Sequence, residues 1–165
     1  MIKLILLDVD GTLTDGGIYK GNSGEEFKKF HVRDGYAIVY VNKYLDKEFG
    51  IITGKESKIV KDRAKELNIE ILYQGVSDKL AILNEIMQKY NLNKEEVAYM
   101  GDDLNDLQIM KQVGLRGAPS DAIKEIHEIA EFISTKKGGN GAVREFIEFI
   151  VKSEGLWEQF TNKCK

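Results

Sequence analysis

Residues 2–15 read IKLILLDVDGTLTD. An apolar run of strand length, residues 2–9, carries Asp8 and is followed at once by Asp10, Gly11 and Thr12. Side chains of a strand alternate between faces, so Asp8 and Asp10 are expected to point the same way. At the C-terminal end of a strand in an open α/β sheet, both would enter the crevice where such sheets bind ligands. Asp-Gly is also a common turn, so this stretch by itself leaves a turn and a catalytic site both open.

Further strand-length apolar runs occupy residues 48–53, 69–73, 97–100 and 131–134, with a weaker one near 114–118. Helical stripes alternate with them: Ala37, Ile38, Val41 and Leu45, then Leu80, Leu83, Ile86 or Met87, and Tyr90, then Leu104, Leu107, Met110 and Val113. Ser77 and Ser120 are candidate helix N-caps. Strands alternating with helices predict a Rossmann-like α/β fold, a parallel sheet with helices on both faces. One segment breaks the alternation. Residues 14–33 read TDGGIYKGNSGEEFKKFHVR, in which Gly-Asn-Ser-Gly separates two short extended pieces. This predicts a β-hairpin inserted after the first strand, about residues 16–32. Tyr19, Phe27 and Phe30 sit in it among charges, which suits a partner surface.

Composition bounds the function. The chain has 165 residues, 42% of them hydrophobic, and one proline, so a single domain over residues 1–165 is expected. The net charge of −3 is interspersed, which argues against nucleic acid or an anionic membrane as partner. Cys164 is the only cysteine, so neither an intrachain disulfide nor a cysteine zinc site is expected. The apolar residues 2–7 are too few for a leader or a membrane span, and a cytoplasmic location is expected.

The other strand ends add chemistry. FGIITGKES, residues 49–57, puts a hydroxyl and backbone N–H groups of Thr53 and Gly54 at an expected helix start, where an anion is favoured. YQGVSDKL, residues 73–80, puts Lys79 at the beginning of a helix, against the dipole preference. VAYMGDDLND, residues 97–106, adds Asp102, Asp103 and Asp106, the last two of which also suit helix capping. Carboxylates converging in one crevice repel unless a cation is present, and magnesium with oxygen ligands fits.

DVDGT, Thr53-Gly54, Lys79 and GDDLND, in that order along the whole chain, resemble the four motifs of haloacid-dehalogenase-like phosphotransferases. The resemblance implies that Asp8 is a nucleophile forming a phosphoaspartate, and that Asp10 protonates the leaving oxygen and then activates water. It implies that Asp8, the Asp10 carbonyl and Asp102 hold Mg2+, that Thr53, Gly54 and Lys79 hold the phosphoryl group, and that Asp103 and Asp106 support the site from behind. Many members insert a cap domain after the first or second motif. Here only the hairpin and a helix lie between Asp15 and the second strand, so no cap domain is expected.

FHVRDGYA, TGKESKIVKDRA, LYQGVSDKL, GDDLND and GGNGAVREF resemble a capless subgroup, the phosphatases of 3-deoxy-D-manno-octulosonate 8-phosphate. That resemblance implies a phosphorylated sugar acid as substrate and a homotetramer joined through the hairpin. It also implies a sugar site lined by His31, Val32, Arg33, Asp34, Gly35, Lys55 and Arg63, with residues 138–144 reaching a site. Lys55 stands where the subgroup usually has arginine, and Val39 where it often has a second one. Lysine cannot make the bidentate fork to a carboxylate, which leaves a nine-carbon nonulosonate 9-phosphate as the alternative substrate. A phospho-accepting receiver-like module is the competing class; the Asp-x-Asp-Gly-Thr at the first strand end favours hydrolysis.

Overall fold

The computed structural model describes Met1–Lys165. Six strands, β1 (Leu4–Leu7), β4 (Glu48–Ile52), β5 (Ile71–Tyr73), β6 (Val97–Met100), β7 (Leu115–Ala118) and β8 (Phe132–Ile133), form one sheet in the order β5-β4-β1-β6-β7-β8. Every pairing in it is parallel. The weak run near 114–118 is thus a full sheet member. Two short strands, β2 (Tyr19–Lys20) and β3 (Glu26–Phe27), pair antiparallel as the expected hairpin, with Tyr19 opposite Phe27.

Period-two alternation divides the core. Ile5, Leu7, Phe49, Ile51, Ala98 and Met100 face helices α1 (Val32–Leu45), α2 (Lys58–Glu66), α6 (Ala142–Ser153) and α7 (Trp157–Lys163). Leu4, Leu6, Ile52, Val97 and Tyr99 face α3 (Lys79–Tyr90), α4 (Leu107–Met110) and α5 (Lys124–His127). Strands buried on both faces read as unbroken apolar runs, which is why β1 and β6 stand out in the sequence.

The chain leaves β1 for β4 and β5 on one side, then crosses back to β6 on the other. The switch in direction falls at β1, and this places a crevice at its carboxyl end. Leu7 pairs with Ile51 and Met100, so the residues after β1, β4 and β6 emerge side by side.

Several local expectations are corrected. Strand β1 ends at Leu7; Asp8 stays extended, its N–H donating to the Met100 carbonyl at 3.0 Å, but Asp10 lies in a tight turn over Val9–Leu13. Strand alternation therefore does not govern Asp10. The helix after β4 starts only at Lys58, capped by the Ser57 hydroxyl, so Thr53 and Gly54 lie in a loop ahead of it. Asp78, not Ser77, caps α3, its carboxylate accepting from Ala81 N–H at 3.0 Å. Ser120 caps nothing; α5 begins after Ile123. The stripe from Leu104 to Val113 breaks into a 3-10 turn (Leu104–Asp106) and the four-residue α4, leaving Leu104 exposed.

Candidate active site

The crevice at the end of β1 gathers groups from four strand ends. Lys79, the first residue of α3, is buried and donates to Asp8 Oδ1 at 2.7 Å, to Asp106 Oδ1 at 2.7 Å and to the Tyr99 hydroxyl at 3.1 Å. Tyr99, wholly buried on β6, donates to Asp106 Oδ1 at 2.6 Å. The other oxygen of Asp106 accepts from the N–H groups of Asp102 and Asp103 at 2.9 and 3.3 Å. Asp106 thus locks the loop after β6 and holds Lys79 in place, while Asp103 is exposed and caps Leu104. The capping role expected of both residues is present.

Asp8, Asp102 and Asp106 each offer a carboxylate oxygen, all within 4.8 Å of one another. Burial, then the charge of Asp106, raises the Asp8 carboxyl to about 6 against the pull of Lys79. Burial, then Asp8 and Asp106, raises Asp102 to about 8, although Thr12 donates to it at 3.2 Å. Burial would lower the Lys79 ammonium, but Asp8 and Asp106 outweigh it and raise it. Three carboxylates thus share a single buried ammonium. A hard divalent cation with oxygen ligands fits that charge deficit. Asp106 already has both oxygens engaged, which leaves Asp8 and Asp102 as the side chains free to ligate.

Thr53 is buried, with its backbone N–H bonded to the Tyr73 carbonyl and its carbonyl to Val76 N–H. Those bonds fix the loop that carries Gly54 and Lys55. The Asp10 carboxylate meets the hairpin, where Lys28 Nζ lies 2.5 Å from its Oδ1.

Two glycines of residues 138–144 pack on the turn that carries Asp10. A Cβ on Gly138 would lie 1.9 Å from the Gly11 carbonyl oxygen. Gly139, at φ 67°, would place one 2.3 Å from Asp15 N. Gly11 itself has φ 89°, and a Cβ there would meet Asp102 Oδ2 at 2.1 Å. Only glycine permits this stacking of turn on turn.

Of the residues implied for a sugar site, Lys55 alone shares a cavity with one of the site's acids, Asp10. His31, Val32, Gly35 and Arg63 line an open groove of about 710 Å³ between α1 and α2, while Arg33 lines another of about 620 Å³ beside Lys136 and Arg144. His31 caps α1, its Nδ1 accepting from Arg33 N–H at 3.3 Å. Asp34 is 1% exposed, and its Oδ1 accepts from Arg144 N–H at 2.8 Å, tying α1 to the start of α6. Burial raises its carboxyl to about 6. Lys55 shares a cavity of about 170 Å³ with Asp10 and Lys28. Sequence reasoning missed Tyr99, Thr12 and Lys28. A tyrosine in an apolar strand reads as core, so its hydroxyl is the one weak signal that could have pointed to Tyr99, and nothing local marks Lys28 among its charged neighbours.

An open α/β sheet with a carboxylate, a buried lysine and an acid pair at adjacent strand ends defines a class. A family model of haloacid dehalogenase-like hydrolases matches residues 20–147, and the chain belongs to that family. Within it, the chain is 46% identical over 158 residues to the 3-deoxy-D-manno-octulosonate 8-phosphate phosphatase KdsC of Escherichia coli (strain K12), covering 96% of this chain and 84% of that protein. It is 45% identical to KdsC of Yersinia pestis over 160 residues, 97% of this chain and 85% of that one. Among solved structures, the phosphatase of Moraxella catarrhalis, crystallised with magnesium ion, phosphate ion and KDO, superposes with a TM-score of 0.95 at 37% identity, over 99% of this chain and 94% of that one. The Yersinia pestis enzyme gives 0.92 at 45% identity, over 95% and 84%.

Proposed function

We propose that the chain is a magnesium-dependent phosphomonoesterase acting on 3-deoxy-D-manno-octulosonate 8-phosphate through a phosphoaspartate. The observation that carries this is the Asp8–Lys79–Asp106 arrangement at the switch point, in a chain 46% identical to KdsC over nearly its whole length. Asp8, the Asp10 carbonyl and Asp102 would hold the metal, which would supply positive charge to offset the phosphate and the crowded acids.

An Asp8 carboxylate oxygen attacks phosphorus, the ester P–O bond breaks, and the departing alkoxide takes a proton from Asp10. Water then attacks the aspartyl phosphate, giving its proton to Asp10 and releasing inorganic phosphate. Splitting hydrolysis into two displacements lets one residue serve as acid and then base. Lys79, with Thr53 and Gly54, binds the phosphoryl oxygens, and its ammonium is freed for them as Asp8 Oδ1 is consumed. Asp103 and Asp106 hold the loop. Residues His31, Val32, Arg33, Asp34, Gly35 and Arg63 belong to a sugar site completed across subunits, with Asp34 acting through α6 rather than by direct contact. Lys55 favours a second substrate, a nonulosonate 9-phosphate, because it lines the cavity beside Asp10 with a point charge where a bidentate fork would suit the eight-carbon acid.

The quaternary reading is a homotetramer through the hairpin, whose Ile18 and Phe27 are 77% and 61% exposed. No helix is long and apolar enough to cross a membrane, and we place the enzyme in the cytoplasm as one domain over residues 1–165.

The test is magnesium-dependent phosphate release from the eight-carbon 8-phosphate, a nine-carbon 9-phosphate and an aryl phosphate. The highest kcat/KM is expected on the first, and Asp8→Asn is expected to abolish turnover of all three while leaving the fold intact. Preference for the nine-carbon ester selects the second reading. Turnover by the Asp8→Asn protein removes the nucleophile.

A further inference from the structure

The hairpin is fastened to the catalytic turn by its return strand. Lys28, directly after β3, has a side chain only 11% exposed, although Phe27 beside it is 61% exposed. Its Nζ sits 2.5 Å from Asp10 Oδ1. Lys29 points elsewhere, donating to the Gly139 carbonyl at 2.8 Å and to Asn140 Oδ1 at 2.7 Å. Asp106 is held by Lys79, by Tyr99 and by the backbone N–H groups of Asp102 and Asp103, and Asp8 is held by the buried Lys79, whereas the Asp10 carboxylate has one hydrogen-bond partner in the chain, Lys28. The Asp10 side chain is 40% exposed and sits in a turn beside a glycine at φ 89°, so it has little else to fix its direction. An acid must stand within hydrogen-bond reach of the oxygen it protonates, so holding one carboxylate oxygen leaves the other aimed. Asp10 and Lys28 share the cavity of about 170 Å³ that opens from the turn under the hairpin.

We propose that Lys28 is a positioning residue: it orients Asp10 for proton transfer to the departing alkoxide, making the hairpin a working part of its own subunit's site as well as an assembly surface. This rests on Asp10 being the proton donor.

The experiment uses leaving groups of two kinds, because kcat/KM reports steps only through departure of the alcohol. A p-nitrophenolate leaves without a proton, whereas an alkoxide needs one. Wild type, Lys28→Met, Lys29→Met and Asp10→Asn are compared on an alkyl phosphate that the wild type turns over and on p-nitrophenyl phosphate, with folding checked by thermal melts. Lys28→Met is expected to lose about tenfold or more in kcat/KM on the alkyl ester and less than about twofold on the aryl ester. Lys29→Met, which loosens the hairpin without touching Asp10, is expected to leave the ratio of the two unchanged. Should Lys28→Met not fold, the same ratio is read on Lys28→Gln. Equal losses on both esters, the same change in Lys29→Met, or no change overturns the proposal. If Asp10→Asn itself shows no leaving-group dependence, the assignment of Asp10 as the acid fails first, and that outcome is separate from a failure confined to Lys28.

Discussion

Asp102 and Asp8 bind protons more tightly in the folded chain than in water, at about 8 and about 6 against an ordinary 3.8. Ionising such a group opposes folding, so the penalty is absent below about pH 4 and grows as pH rises toward the folded values. For the metal-free protein this predicts falling stability between pH 6 and 8, by about 2 kcal/mol if Asp102 dominates, or roughly 4–8 °C in Tm. Melts in a chelator should show that slope, Asp102→Asn should flatten it, and added magnesium should abolish it by binding the ionised pair. A Tm that rises with pH over this range contradicts the crowding of unneutralised acids. At this scale the sequence was informative where a residue type carries its own chemistry. Asp8, Lys79 and Asp102 were legible because a lysine at a helix start and acids after apolar strands are costly without a task. Tyr99 was not, because a buried tyrosine in a strand reads as core until its hydroxyl is seen against Asp106.

Among the elements, residues 138–139 form the segment least like what its composition suggests. Gly-Gly-Asn-Gly reads as a loose connector, yet it lies against the turn that bears Asp10. Replacing Gly138 with alanine would drive a methyl into the Gly11 carbonyl, a backbone atom that cannot step aside. Overpacking of this kind costs about 1–3 kcal/mol, and here the displaced atom belongs to the catalytic turn. Gly138→Ala should therefore shift the urea midpoint downward by such an amount and reduce kcat well beyond what the stability loss explains; an unchanged kcat would show that the two turns do not communicate. Strands β1, β4 and β6 were readable because burial on both faces leaves unbroken apolar runs. The start of α2 was not, since Lys55-Glu56 is compatible with a helix and only the bonds from Ser57 set the boundary. Nor was the break in the 104–113 stripe, where capping by Asp103 and Asp106 interrupts an otherwise helical period.

For the whole molecule, the exposed Ile18, Tyr19 and Phe27 form an apolar patch on a two-stranded ribbon with little to bury it in one chain. Two-stranded ribbons are marginal alone, and the partner copy of the proposed tetramer would cover this one. Placing a charge there, as in Phe27→Lys, should convert the assembly to smaller species by light scattering and lower the kcat for the sugar phosphate. A fully active monomer would refute completion of the site by neighbours. The capless architecture was legible from segment lengths alone. The location of the sugar-site candidates was not, because nothing local in the sequence shows that His31, Val32 and Arg63 line an open groove between α1 and α2 rather than the crevice at the end of β1.

The central position of β1 has a consequence for synthesis. Synthesis delivers β1 before either of its neighbours in the sheet, residues 48–52 on one side and 97–100 on the other. Until the second of those has left the ribosome, Leu4, Ile5, Leu6 and Leu7 have at most one neighbour and an open edge, the condition in which apolar strands pair with the wrong chain. Nascent chains from which residues up to about 90 have emerged should therefore be the most dependent on chaperones, and chains from which residue 118 has emerged much less so.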